Sequence, residues 1–285
     1  MSPDLEPTIG LEIHTQLATQ TKLFCSCPVD TDAEPNTHTC PTCLGLPGSL
    51  PQLNERAVEL AVMAGRAIDA DIASVAQFDR KHYFYPDLPK GFQITQYEEP
   101  ICRDGLLSID GDDIRVRRAH LEEDPGRLTY GDTTIKQADH SYVDYNRSGV
   151  PLMEFVTEPD ITSPEQARAV VDKLTSRLEY IGVMNRSMDG AMRVDANVSV
   201  SPDETSEGTR VEIKNIGSAS SVEDALMYEL TRQRDTVRRG DELRPTTRHW
   251  DDSRNVTVEL REKEGEADYR YFREYDLPVL RIADE

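Results

Sequence analysis

The 285-residue sequence is short of lysine, has a single tryptophan and contains no long apolar run. No stretch approaches the about 20 consecutive apolar residues that a bilayer-spanning helix needs, so none is expected. The first residues, MSPDLEPTIG, hold no basic stretch followed by an apolar one. A secretory leader is therefore not expected, no membrane partner is implied, and a cytoplasmic location is the default. Neither GxGxxG nor GxxxxGK[ST] occurs, which argues against a dinucleotide fold and a P-loop. There is no internal repeat and no low-complexity linker.

Lysine occurs at seven positions (22, 81, 90, 136, 173, 214 and 263), so 25 of the 32 basic residues are arginine. Against them stand 53 acidic residues, and the formal net charge is −21. Such a surface repels itself at low ionic strength, and salt screens the repulsion. The acid is spread along the whole chain and not gathered in a tail. This is the composition expected of a protein from a salt-loaded cytoplasm, a halophile; an acidic mesophilic enzyme is the alternative. The same charge argues against general nucleic-acid binding by this chain alone, because phosphate attraction supplies most non-specific affinity. A local basic strip is still allowed.

Apolar periodicity predicts three helices. The first covers about 54–69, with Ala57, Leu60, Ala61, Ala64 and Ile68 on one face. The second starts after Ser163, an N-cap with Pro164 at the first helical position and Gln166 three residues on, and stops at Gly182. The third spans about 221–239, capped by Ser220 and ended by Gly240. Strand-like alternation marks Thr8–Leu17, Ile114–His120, Met192–Ser201, Thr209–Lys214 and Val256–Arg261. In Met192–Ser201 the apolar Met192, Val194, Ala196, Val198 and Val200 share one face, and Arg193, Asp195, Asn197 and Ser199 the other. Strands grouped between separated helices predict an α+β fold with a mostly antiparallel sheet.

Cys25 and Cys27 form one close pair, Cys40 and Cys43 another, across a polar loop. Reduced thiols at that spacing could surround a tetrahedral zinc ion in a closed, structural site; His38 could replace one of them. Cys102 stands alone and reads as a small buried residue. In Gly10-Leu-Glu-Ile-His14, Glu12 and His14 project from the same strand face, which suits a divalent cation or proton transfer, although a surface Glu/His pair is common. His120-Leu-Glu-Glu-Asp124 is a second acidic cluster. Glu154 lies in an apolar run, Val150–Val156, where a carboxylate is either at an exposed edge or held inward by a partner. These separated acids with His14 could surround Mg²⁺; solvated acids are the rival reading in so acidic a chain. Asp79–Asp87 is basic and aromatic, with Arg80, Lys81 and, further on, Lys90 offering phosphate contacts. Tyr83, Phe84 and Tyr85 there offer stacking surfaces, or simply core aromatics.

The motifs GLEIH, FDRKHYFYPDLPKGFQITQ, HLEEDPGR, DYNRSGVPLMEFVTEPDI, MRVDANVSV, VEIKN and DYRYFREYDLP follow one another in this order. Together they resemble the catalytic (cradle) domain of the B subunit of the tRNA-dependent amidotransferase, a domain shared with the archaeal E subunit. The resemblance runs from Ile9 to about Ile282, and the composition suggests a haloarchaeal member. It implies a glutamine synthetase/guanido kinase-like α+β fold over 1–285, with a zinc loop at 25–43, and family members continue into helical and tail domains expected to be absent here. It implies that ATP phosphorylates the side-chain carboxylate of Glu or Asp mischarged on tRNA for Gln or Asn. Ammonia from a partner amidase, the A subunit, working with a small C subunit, then displaces phosphate. On the matching motifs, Glu12, His14, Glu123 and Glu154 are implied to be Mg²⁺ ligands at the catalytic site. Lys81, Tyr83 and Tyr85 are implied to line the nucleotide site and ammonia exit, and Asp195, Lys214 and Asn215 to face it. Cys25, Cys27, Cys40 and Cys43 match the zinc-binding variant of the family. Two other readings stand beside this one: a zinc-stabilised RNA-binding module without catalysis, and the E-type paralogue restricted to Glu on tRNA for Gln.

The charge leads to a direct test. The Debye length falls from about 10 Å at 0.1 M salt to about 3 Å at 1 M. The melting temperature is expected to rise steadily with KCl across that range; a melting temperature indifferent to salt would remove the halophile reading.

Overall fold

The structure, a computed structural model, describes residues 5–30, 32–131, 139–188, 190–201, 208–262 and 266–282. The first part of the chain forms β1 (Glu6–Gln16), α1 (Glu55–Ala67), β2 (Asp71–Ile72), β3 (Val75–Ala76), β4 (Asp79–His82) and β5 (Phe92–Thr95). Then come β6 (Cys102–Ile109), β7 (Asp112–Glu123), β8 (Arg127–Tyr130), β9 (Ser141–Asp144), β10 (Pro151–Thr157) and α2 (Pro164–Tyr180). The last part forms β11 (Met192–Ser201), β12 (Val211–Ile216), α3 (Ala219–Arg238), β13 (Thr246–Asp251), β14 (Val256–Glu262), β15 (Phe272–Arg273) and β16 (Leu280–Arg281).

Nine of the strands make one sheet in the order β14-β13-β12-β11-β1-β10-β7-β6-β2. Neighbours run antiparallel except β12 and β13. The architecture is thus mixed α/β and dominated by its sheet. A three-stranded sheet, β15-β4-β5, stands beside it, and β8 and β9 form a separate pair.

Alternation along the central strands sorts the side chains. Ile9, Leu11 and Ile13 of β1, Met153 and Phe155 of β10, and Val194, Ala196 and Val198 of β11 are at most 1% exposed. They join one apolar core with Ala57, Leu60 and Ala64 of α1, Val170, Leu174 and Leu178 of α2, and Val222 and Leu226 of α3. All three helices therefore deliver their apolar stripes to the same core. The residues between these apolar positions project from the other face of the sheet.

The helix starts follow their capping chemistry. Asn54 accepts from Ala57 N–H, and Ser163 accepts from Gln166 N–H at 3.1 Å. Gln166 reaches back one residue further than a capping box, to Thr162 N–H at 2.9 Å. The third helix begins earlier than expected: Ser218, not Ser220, is its cap, accepting from Ser221 N–H at 3.0 Å. Ser218 has the extended backbone that an N-cap needs (φ −150°, ψ 159°), whereas Ser220 lies inside the first turn.

Two strands also differ in extent from their sequence pattern. β7 does not stop at His120 but continues to Glu123, because β10 pairs with it as far as Pro151 opposite Glu123. β12 is shifted to Val211–Ile216 and carries an irregularity opposite Val194–Ala196. Asn215 adopts a left-handed φ of 63° there, so that both Ile213 and Ile216 enter the core although they are three residues apart.

Candidate active site on the open face of the sheet

Cross-strand register assembles the polar face. His14 of β1 lies opposite Glu154 of β10, and Glu154 lies opposite His120 of β7. On the other side of β1, His14 faces Arg193 and Glu12 faces Asp195 of β11. One row of side chains thus crosses four strands.

Within it, His14 Nε2 is 3.4 Å from Glu122 Oε1 and 3.7 Å from Glu154 Oε2. His120 Nε2 is 3.1 Å from Glu154 Oε2. Glu122 and Glu154 are both buried, at 3% and 7% exposure. A second group adjoins the first: Glu12, Asp195 and Glu212 also bring ligand atoms within 4.8 Å of one another. Lys214 sits against it, with Nζ 3.0 Å from Asp195 Oδ2 and 3.4 Å from Glu212 Oε1. Asn215 N–H donates to Asp195 Oδ1 at 3.0 Å.

So many buried acids perturb one another. Burial and the neighbouring Glu154 push the Glu122 carboxyl up to about 7. Burial, Glu154 and Asp195 raise Glu12 as well. Burial also opposes ionisation of Glu154, but His120 and His14 outweigh it and hold the group well below the usual carboxylate range. Asp195 is lowered in the same way, with Lys214, His14 and the Asn215 N–H overcoming burial. Lys81 arrives from β4 in the three-stranded sheet. Burial disfavours its charge, yet Tyr271, Glu122, Glu154 and Tyr83 keep the ammonium well above its ordinary range. Its Nζ lies 4.9 Å from the Tyr269 ring centre, and Tyr97 stacks on Tyr271 at 4.0 Å.

The donor set fits a small divalent cation. A magnesium ion with bonds of about 2.1 Å spans ligand pairs about 3–4.2 Å apart, the range of both distances from His14, while all three ligand atoms lie within 4.8 Å of one another. Buried polar atoms beside the cluster, Gln16 Nε2 and His120 Nδ1, have no partner among the described residues.

Of the residues expected at this site, Glu12, His14, Glu154, Lys81, Asp195 and Lys214 come together. Glu123 does not. It follows Glu122 on β7 and projects from the opposite face, where its carboxylate pairs with Lys90 and accepts from Ile94 N–H at 2.8 Å. There it lines a cavity of about 180 Å³ between the cysteine loop and β4–β5, with Lys22, Cys43, Arg80, Lys90 and Glu274. Tyr83 is half-buried and its hydroxyl is raised by burial, whereas Tyr85 is 49% exposed and meets Tyr83 edge-on at 6.2 Å. Sequence reasoning marked the cluster His120–Asp124 but took Glu123 from it, and gave His120, Glu122, Arg193 and Tyr271 no role of their own at the site. The signal for the first two was period two: with Leu121 inward, His120 and Glu122 must share the outward face.

The four loop cysteines form a separate cluster, with all four Sγ atoms within 4.8 Å of one another. A tetrahedron with Zn–S bonds of about 2.3 Å has edges of about 3.8 Å, so the set fits a metal such as zinc. His38 stands outside it. Hydrogen bonding from Cys25 first, then the Cys40 N–H and Lys22, pulls the Cys43 thiol down to about 4 against burial. Hydrogen bonding to Cys43 and burial push Cys25 up, and burial first raises Cys27 to about 11. Lys22 is fully buried and donates to His38 O at 2.8 Å and Tyr145 O at 3.1 Å, with Cys43 Sγ at 3.6 Å. Cys102 is fully buried in the core, its thiol pushed up to about 12 by burial.

Two measurements follow from this geometry. Elemental analysis should find one zinc per chain and its loss in Cys43→Ser; a metal-free wild-type protein would reject the site. For Glu122 the raised folded-state pKa means that, between 4.5 and about 7, the folded chain keeps a proton that the unfolded chain has released. Stability should therefore fall as pH rises through that window without divalent cations. Urea midpoints should show a flatter pH profile for Glu122→Gln, and an unchanged slope would refute the assignment.

Similarity to known proteins extends over nearly the whole chain. Residues 7–285 match the GatB/GatE catalytic domain. The chain is 54% identical over 297 residues to the B subunit of the aspartyl/glutamyl-tRNA(Asn/Gln) amidotransferase of Haloquadratum walsbyi, covering 99% of this chain and 60% of that protein. The protein of the same name in Halobacterium salinarum is 55% identical, again over 99% of this chain and 60% of its own length. That of Methanosarcina barkeri is 54% identical over 96% of this chain and 55% of its length. The chain spans about 60% of the length of such relatives. On the family match and on identity of this extent, the chain belongs to the GatB/GatE catalytic-domain family.

Proposed function

We propose that this chain carries the ATP-dependent step of a tRNA-dependent amidotransferase, as the catalytic part of its B subunit. The substrate is Glu or Asp mischarged on tRNA for Gln or Asn. A carboxylate is a poor acyl donor because oxide is a bad leaving group. One oxygen of the side-chain carboxylate attacks the γ-phosphorus of ATP, ADP departs, and an acyl phosphate forms. Ammonia then attacks the acyl carbon, inorganic phosphate leaves and a proton is lost, giving Gln-tRNA or Asn-tRNA. The ammonia comes from the amidase, the A subunit, with the small C subunit completing the assembly. The packing of α1, α2 and α3 into the core on one side of the sheet is compatible with a glutamine synthetase/guanido kinase-like fold, which leaves the other side for the nucleotide.

The observation that carries this reading is the convergence of His14, Glu122 and Glu154, from three separate strands, on one buried point. Magnesium held by His14, Glu122 and Glu154 would supply positive charge that offsets phosphate oxygens. Around it this chain's own groups do the positioning. The Lys81 ammonium, whose charge is favoured by Tyr271, Glu122 and Glu154, offers the transferring phosphoryl group a fixed positive charge. Lys214 offsets part of the charge of Asp195 and Glu212 and so lessens the repulsion of an approaching phosphate. The Tyr269 ring lies 4.9 Å from the Lys81 ammonium, and Tyr271 and Tyr83 act on its charge. The zinc in the 25–43 loop would be structural.

A zinc-stabilised RNA-binding module without chemistry has no use for buried carboxylates on the face an anion would approach. The names of the similar proteins support the B type over the E type. Similarity to haloarchaeal relatives, taken with the charge of −21, supports a salt-adapted cytoplasmic enzyme, though methanogen relatives are similarly close.

The test uses the full-length protein in complex with its amidase partner. Phosphate release dependent on mischarged tRNA should fall at least about 100-fold in Glu154→Gln while tRNA affinity stays within about threefold. Glu123→Gln should lose less than about tenfold, because its carboxylate faces Lys90 and not the cluster. Unchanged phosphate release in Glu154→Gln would dismiss the reading.

A further inference from the structure

Three arginines stand close together on β7, and their surroundings differ. Arg115 Nη2 lies 2.6 Å from Asp160 Oδ1, and Arg117 holds Glu158 through Nε and Nη2, both at 2.8 Å. Arg118 has no ion pair and no side-chain hydrogen bond among the described residues, in a chain that carries 53 acids. Its Nε is buried without a partner. Its guanidinium lies over the Tyr97 ring, 5.2 Å from the centre, and Tyr97 in turn stacks on Tyr271. Directly across on β6 is Arg103, a like charge, which donates to Glu98 O at 2.6 Å and pairs with Glu99. A buried unpaired donor and a like charge across the strand pair are both destabilising.

The position of Arg118 gives this charge a use. Ala119 and Leu121 lie in the core, so Arg118 projects from the open face with His120 and Glu122. Register carries its row across the sheet, since Arg118 pairs with Val156 and Val156 with Glu12. That row adjoins the row of His120, Glu154 and His14. Burial raises the Tyr271 hydroxyl to about 12; Lys81 and Arg118 oppose the rise, and Glu154 and Glu122 add to it. The two cations and the acid cluster thus act on one hydroxyl.

A cation left unpaired on an open face is free to take an anion from outside. From His120 to Arg118 is two residues of strand, about 6.6 Å. An anion held at the acid cluster extends that far only if it is a chain of charged groups. A polyphosphate is such a chain and a single carboxylate is not. The guanidinium fork suits phosphate oxygens, which accept its parallel N–H donors.

We propose that Arg118 is a binding residue for a phosphate group of the nucleoside triphosphate on the open face. The inference rests on the reading of that face as the nucleotide site. It makes Arg118 a residue that serves binding although it destabilises the empty protein.

The experiment uses the full-length protein in complex with its amidase partner, at about 1 M KCl so that surface charge is screened. Calorimetry follows a non-hydrolysable ATP analogue with Mg²⁺, filter retention follows tRNA, and melting temperature is recorded without ligand. Arg118→Met keeps a stem over Tyr97 and removes the charge; Arg118→Lys keeps the charge. The methionine variant should bind the analogue about 10–100-fold more weakly, the lysine variant less than about tenfold, with tRNA affinity within about threefold of wild type for both. Without ligand, the methionine variant should melt no lower than wild type. Analogue affinity within about threefold of wild type in Arg118→Met would overturn the proposal. Loss of tRNA affinity at unchanged analogue affinity would also overturn it and assign the arginine to the RNA backbone. A methionine variant that melts lower, or fails to assemble, would overturn it in favour of a structural role. A wild-type complex that binds no analogue would overturn the nucleotide reading itself, and this is seen without any Arg118 variant.

Discussion

Glu154 is the point at which packing and charge meet. It belongs to a central strand whose neighbours in sequence, Met153 and Phe155, are fully buried in the core. Its own side chain is only 7% exposed and must find its polar partners on the sheet. The antiparallel register supplies an imidazole from each adjacent strand, His14 from β1 and His120 from β7. A one-residue slip of either strand would send those imidazoles into the core and leave a buried carboxylate unpaired. The alternation that buries Ile13 and Leu121 thus also builds the site.

The same face gathers more negative charge than its own cations offset. Glu12, Glu122, Glu154, Asp195 and Glu212 lie on it, and Lys214, Lys81 and Arg193 face them. The strain appears as opposite displacements: Glu122 is pushed toward neutrality while Glu154 is kept ionised. Groups whose environments drive them apart in this way mark sites that take up a cation or move a proton. Lysine is rare in this chain, and two of its seven lysines, 81 and 214, serve this one face.

The other conspicuous lysines work at the cysteine loop and its cavity. Lys22, with no exposure, joins the loop to Tyr145. Asp144 and Asn146 extend the attachment by binding the Asn36 and His38 N–H groups at 2.9 and 2.8 Å. Among its described residues the loop has no helix or strand, and it is held by these polar contacts and by its sulfur cluster. It forms one wall of the cavity that Glu123 and Lys90 face. Two consecutive glutamates of β7 therefore serve opposite sides of the sheet.

Much of this was legible in the residues. The helix positions, the inward face of Met192–Ser201 and the cysteine pairing all follow from local rules: a 3.6-residue stripe, a two-residue alternation, a capping serine, a short ligand spacing. These involve residues close in the chain, so composition and order determine them. Motif resemblance extended this to Glu12, His14 and Glu154. The choice between Glu122 and Glu123 was not local. It depended on how far β10 pairs along β7, which a strand read only to His120 could not reveal. The contact of His120 with Glu154 depended likewise on a partner 34 residues away in sequence, brought opposite by register. What the sequence determined by itself was which residue types lie on which face of each strand and helix. Only the tertiary structure decided which strands are neighbours and in what register, because that choice is made by burial of the whole apolar face at once.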